Sequence, residues 1–209
     1  MIEVKNLTKE FKETKALDNV SLRFATGKIH GLIGRNGSGK TVLLKILCGF
    51  MAPTLGEVLF DGKPALPGAL RESMGLIIES PGFIGSKSGF VNLWYLASLR
   101  KKITKDQVRQ AMETVGLDPA SKKAVRKYSM GMRQRLGIAQ AIMENPTTLI
   151  LDEPFNGLDK DGVRDIHGLL QQQKAQGKTI ILASHSAADI AQACDVVYEM
   201  TGGRLERVG

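Results

Sequence analysis

Two cysteines in 209 residues, Cys48 and Cys194, are too few and too isolated for a disulfide framework or a zinc site. That scarcity suits a reducing cytosol and argues against secretion. His30 and His167 have no ligand spacing between them and read as packing or surface residues. No apolar run approaches the roughly 18 residues that a membrane-crossing helix needs. The opening MIEVKNLTKEF alternates charged and apolar residues and has no signal-peptide core. There is no internal repeat and no low-complexity segment. What remains is an ordinary globular composition, 43% hydrophobic and 24% charged. The length corresponds to a single domain, 1–209, with room for an inserted subdomain, and is enough for a sizeable core.

The net charge of +8 is unevenly distributed. Between Arg100 and Arg135 there are 11 Lys/Arg against 3 Asp/Glu, and the rest of the chain balances. The segment is either a solvated helical face or a contact surface for nucleic acid or an anionic membrane.

Hydrophobic periodicity divides the chain. Ile2 and Val4, then Val20, Leu22 and Phe24, alternate with polar residues as half-buried, antiparallel strands do. Ile29–Ile33 is a more continuously apolar strand running into glycines, and 41–50 reads as a helix. A strand at Glu57–Phe60 follows, then an apolar strand at Met74–Ile78. From Phe90 to Met143 the period lengthens to that of helices. After Pro146 come strand Thr148–Leu151, helix Val163–Gln176, strand Thr179–Ala183, helix Ala187–Ala193 and strand Val196–Met200. Strands alternating with helices predict an α/β fold with a mostly parallel sheet. An antiparallel β subdomain precedes it, and a helical subdomain at about 84–145 is inserted.

The sharpest motif is Gly34-Arg35-Asn36-Gly37-Ser38-Gly39-Lys40-Thr41, which fits G-x-x-x-x-G-K-[ST] between a strand and a helix. Its glycines let the backbone turn N–H groups around phosphate oxygens, and the helix N-terminus adds positive potential. Lys40 can reach the β- and γ-phosphates and the Thr41 hydroxyl can ligate Mg²⁺. A second apolar strand, Leu149-Ile150-Leu151, delivers Asp152 and Glu153 to the edge where open α/β sheets bind ligands. Asp152 is placed to hold Mg²⁺, and Glu153 to orient or deprotonate an attacking water. Ser129-Met130-Gly131-Met132 opens another helix, either as a simple serine cap or as a second anion-binding N-terminus. His185 ends a strand on the same edge as the carboxylates.

In this order the motifs resemble the nucleotide-binding subunit of an ATP-binding cassette protein, over essentially the whole chain. The elements are Phe11, GRNGSGKT, the loop after MGLIIE, the signature YSMGM, the strand LILDEP, the FNGLD loop and the histidine of LASHS. The resemblance implies a P-loop ATPase that takes ATP and Mg²⁺ and forms a head-to-tail dimer around two ATP molecules. It implies that Phe11 stacks on adenine, although core packing also explains an aromatic there. Ser129, Gly131 and Met132 would face the γ-phosphate of the partner, Asp159 would link the two sites, and His185 would hold the γ-phosphate or the water. The usual L-S-G-G-Q signature is altered at Tyr128, Met130 and Met132. The loop glutamine is replaced by Glu79, which can ligate Mg²⁺ or position water but adds negative charge beside the triphosphate. Both departures resemble the bacitracin and lantibiotic export or immunity branch.

Four of the 11 aromatics, Phe83, Phe90, Trp94 and Tyr95, fall in one short stretch. Family resemblance puts contacts with a separate transmembrane permease at Phe83–Tyr95; helical core is the other reading. The expected protein is then a cytoplasmic ATPase, peripheral on the inner face of the cell membrane, that drives export through that permease. A soluble cassette acting on nucleic acid or the ribosome is the alternative that the basic segment supports.

Overall fold

Strands buried on both faces carry continuous apolar runs, and β7 (Thr148–Asp152) and β8 (Thr179–Ser184) are buried at every residue. They lie at the centre of a six-stranded sheet in a computed structural model that describes residues 1–65, 73–79 and 81–208. Its order is β10 (Arg204–Arg207), β9 (Val196–Thr201), β3 (Ile29–Ile33), β8, β7 and β6 (Met74–Ile77). All neighbours pair in parallel except the β9–β10 hairpin at the edge. Side chains alternate between two cores. Ile29, Leu149, Leu151, Ile180 and Leu182 face the helices, and Leu32, Ile150, Ile181 and Ala183 face the opposite layer.

That opposite layer holds α1 (Lys40–Leu47) and a four-stranded antiparallel sheet. The sheet runs β2 (Thr14–Phe24), β1 (Ile2–Phe11), β4 (Leu55–Phe60) and β5 (Lys63–Pro64). Between β6 and β7 the chain forms α2 (Gly89–Arg100), α3 (Lys105–Thr114), a short 3₁₀ turn at Val125–Lys127 and α4 (Met130–Ile142). After β7 come α5 (Lys160–Ala175) and, after β8, α6 (Ala187–Ala193). Gly75 on β6 lets α4 lie directly against the sheet, because a Cβ there would overlap the Ala141 carbonyl oxygen.

The α/β class, the antiparallel opening and the helical insertion agree with the periodicity. Three details differ. β1 and β2 are longer than their alternating cores, since register shifts between Val4 and Leu7 and beyond break the period of two. α1 stops at Leu47 rather than Phe50, before the left-handed Gly49. β5 and β10 were not expected: two and four residues give too short a pattern to read.

Register decides where chemistry collects. Ile33 on β3 pairs with Ser184 on β8, and Asp152 on β7 pairs with Ala183. The phosphate-loop glycines, the two carboxylates and His185 therefore leave the sheet at one level, from three adjacent parallel strands.

Candidate functional site

Gly34 to Thr41 turns from β3 into α1, and residues 36–41 of it line a cleft of about 480 Å³. Gly39 has φ 110°, a left-handed backbone, and a Cβ there would meet the Ala16 carbonyl oxygen at 2.5 Å. Only glycine fits. Lys40 is buried, and its ammonium donates to the Gly34 and Arg35 carbonyl oxygens at 2.6 and 3.2 Å. The Ser38 hydroxyl is buried with no hydrogen-bond partner among the described residues. Asn36 and Gly37 line the same cleft.

Across the cleft, the Thr41 hydroxyl donates to Asp152 Oδ2 at 2.8 Å. Burial pushes the Asp152 carboxyl above the usual carboxylate range, and the Thr41 hydrogen bond works against that rise. A hydroxyl and a buried carboxylate side by side are the hard oxygen donors Mg²⁺ prefers, and the residues present fit that ion. Bound there with the nucleotide, Mg²⁺ would neutralise charge on the phosphates.

Glu153 follows with φ 49°, a strained backbone for a non-glycine residue. Its Oε2 accepts from the Ser184 hydroxyl at 3.0 Å, and Oε1 accepts from the His185 backbone N–H at 3.0 Å. The same oxygen lies 2.9 Å from His185 Nδ1. These contacts pin the carboxylate at the wall of the cleft.

The matching family is the ABC transporter family, whose profile covers residues 17–156 of this chain. The chain belongs to that family. It is similar to the bacitracin transport ATP-binding protein BcrA of Enterococcus faecalis, 43% identical over 98% of this chain and 68% of that protein. The lantibiotic transport ATP-binding protein SrtF of Streptococcus pyogenes is 33% identical, over 98% of this chain and 89% of its own length. A bacterial ABC transporter cassette solved as a dimer superposes with TM-score 0.89 at 23% identity, covering 99% of this chain and 97% of that one. The chain is thus an ATP-binding ATPase cassette, as the motif order implied.

Within this ABC cassette the expected site residues fall into two groups. Residues 36–41, Glu79, Asp152 and Glu153 share the first cleft, Gly34 and Arg35 accept from Lys40 through their carbonyl oxygens, and His185 sits beside Glu153 with an exposed ring. Ser129, Gly131, Met132 and Asp159 line a separate groove, while Met130 of the same signature lines the phosphate-loop cleft. Ser129 caps α4 by accepting from the Met132 N–H at 3.1 Å, and the Met132 side chain packs inward against the helical core. Asp159 caps α5, accepting from the Gly162 N–H at 2.8 Å. Phe11 is exposed at the β1–β2 turn with Lys9 over its ring at 5.1 Å, and Ala16, not Phe11, lines the cleft.

Glu79 enters the cleft but not the pair formed by Thr41 and Asp152: its Oε1 is 2.6 Å from Lys45 Nζ. Lys45 and Ser184 are the functional partners that sequence reasoning missed. Lys45 lies one helical turn beyond Thr41, and Ser184 immediately precedes His185, so spacing alone could have raised both. The aromatic stretch divides. Phe83, Phe90 and Trp94 pack against the helical core, the latter two beneath Arg109 and Lys105, while Tyr95 is exposed.

Proposed function

We propose that two copies of this chain close head to tail around two ATP molecules and drive a separate membrane permease. In this reading Lys40, Ser38 and the loop N–H groups bind the phosphates, and Thr41 and Asp152 hold Mg²⁺. Glu153, positioned by Ser184 and His185, activates water. Ser129 and Gly131 complete the partner's site. Ser129, Gly131 and Asp159 line a groove apart from the cleft of their own phosphate loop, and this carries the proposal, because each groove then supplies half of a shared site. Helix N-termini with unpaired N–H groups suit the γ-phosphate at such a junction.

The permease reading rests on a second groove of about 410 Å³ between β6, α2, α4 and Phe50, which follows α1. Its apolar rim includes Phe50, Leu96 and Leu99, all exposed, with Met74, Pro81 and Met143 beneath. This lies beside the expected Phe83–Tyr95 stretch and shares its helix α2. An apolar helix end from a permease fits there better than a charged partner. No described helix is long and apolar enough to cross a membrane. The names of BcrA and SrtF, both transport ATP-binding proteins, favour a role in peptide-antibiotic export at the inner face of the cell membrane.

The basic segment supports the nucleic-acid alternative, yet part of it is already engaged: Arg100 pairs with Glu144, Arg109 with Asp106 and Arg135 with Asp165. Light scattering tests the dimer. With Mg-ATP the Glu153→Gln variant should elute at twice the monomer mass, and adding Ser129→Arg should keep it monomeric with nucleotide still bound. If Ser129→Arg abolished nucleotide binding by the monomer, the shared-site reading would fail.

A further inference from the structure

The lining of the ATP cleft carries more acidic than basic side chains. Among the described residues, it carries Glu79, Asp152 and Glu153 against one cation, Lys40. Asp152 and Glu153 have partners suited to their tasks, a hydroxyl on one side and Ser184 with His185 on the other. Glu79 has neither. It stands at the end of the strand that leads into the cleft, with φ 59°, a backbone conformation that aims its side chain at α1. There the Lys45 ammonium meets Oε1 at 2.6 Å, with the lysine about one-third exposed and the glutamate about two-thirds exposed. Lys45 is one turn along α1 from Thr41, so α1 presents the metal-binding hydroxyl and this cation on one face.

We propose that Lys45 is a positioning residue for nucleotide binding. It neutralises Glu79 and parks the carboxylate on α1, so that the Lys45–Glu79 pair does the work of one neutral polar side chain. This inference rests on the nucleotide-site reading and deepens it. An exposed pair of this kind adds little to folding stability. Its consequence falls on the ligand instead, because removing the lysine leaves an uncompensated negative charge facing the triphosphate. Repulsion between unit charges several ångströms apart near a protein surface is of the size that weakens binding about tenfold.

The test is a double-mutant cycle read by equilibrium binding of a fluorescent ATP analogue with Mg²⁺, and again with the metal chelated. Lys45→Met keeps the aliphatic stem and removes the charge. It should weaken binding about tenfold in the Glu79 background, more at low salt than at high salt. In the Glu79→Gln background the same substitution should change affinity less than about twofold, since no charge is left to compensate. Lys45→Arg should retain affinity. Equal weakening in both backgrounds would mean that Lys45 acts on its own, and no weakening in either would mean that the pair is inert; each result overturns the inference. Lys40→Ala separates this from the underlying reading. If it binds nucleotide like the wild type, the site itself is misassigned. If it loses binding while Lys45→Met does not, only the role of Lys45 is wrong.

Discussion

Replacing Glu153 with glutamine isolates chemistry from structure with unusual cleanness here. The glutamine amide oxygen can accept the His185 N–H in place of Oε1. Its NH₂ group, at the Oε2 position, can donate to the Ser184 oxygen. The φ of 49° costs the same for either side chain. Loss of folding stability should therefore stay below about 1 kcal/mol. What disappears is the carboxylate assigned to take a proton from water. Removing a general base typically costs about 10²–10⁴ in rate. At about 1.36 kcal/mol per decade, that is roughly 3–5 kcal/mol of barrier. The assay is steady-state phosphate release, paired with equilibrium nucleotide binding and a urea melt. Hydrolysis should fall by at least about a hundredfold while affinity and unfolding midpoint hold. If turnover stays within about threefold of the wild type with the fold intact, Glu153 is not the base, and its strained backbone needs another explanation.

Further predictions address the loop, the core and pH. Gly39→Ala would force a Cβ to within 2.5 Å of the Ala16 carbonyl oxygen at φ 110°. It should cost about 1–3 kcal/mol in urea unfolding and abolish nucleotide binding, and normal behaviour in both assays would refute the cradle geometry. Burial holds the His30 imidazole below its ordinary value, although the Ala25 carbonyl it contacts at 3.0 Å works against that. Because the folded pKa is the lower one, its stabilising share is complete above about pH 6.5 and is lost as pH falls through the folded value. His30→Leu should flatten the fall in melting temperature between about pH 7 and pH 5, and an unchanged slope would assign the acid sensitivity elsewhere. Burial pushes both thiols, Cys48 and Cys194, up to about 12. Native protein should resist iodoacetamide at neutral pH, whereas urea-unfolded protein should take up two equivalents by mass spectrometry.

The legible part of the site was the part written in consecutive residues. A phosphate cradle is made of backbone N–H groups from one loop, so the glycine spacing from Gly34 to Gly39 contains nearly all of its geometry. The strand Leu149–Leu151 was legible for a related reason: burial on both faces demands an unbroken apolar run, and the carboxylates that end it stand out. Partners that meet across the sheet were not legible. Glu153 receives its hydrogen bonds from Ser184 and His185, about thirty residues later, because β7 and β8 are adjacent and in register. No local pattern states that adjacency. Short or bulged strands failed for the opposite reason, since β5, β10 and the ends of β1 carry too few clean alternations to register.

Glu79 draws these two cases together. In the linear motif it reads as a defect, a negative charge at a position where the family usually presents a glutamine beside the triphosphate. In space it is half of an ion pair whose other half, Lys45, sits 34 residues earlier on the helix that carries Thr41. Charge balance is a property of the cleft and not of any one motif position. A departure from a motif is therefore informative only together with the side chain it meets, and in this cassette that side chain belongs to the helix that begins at the phosphate loop.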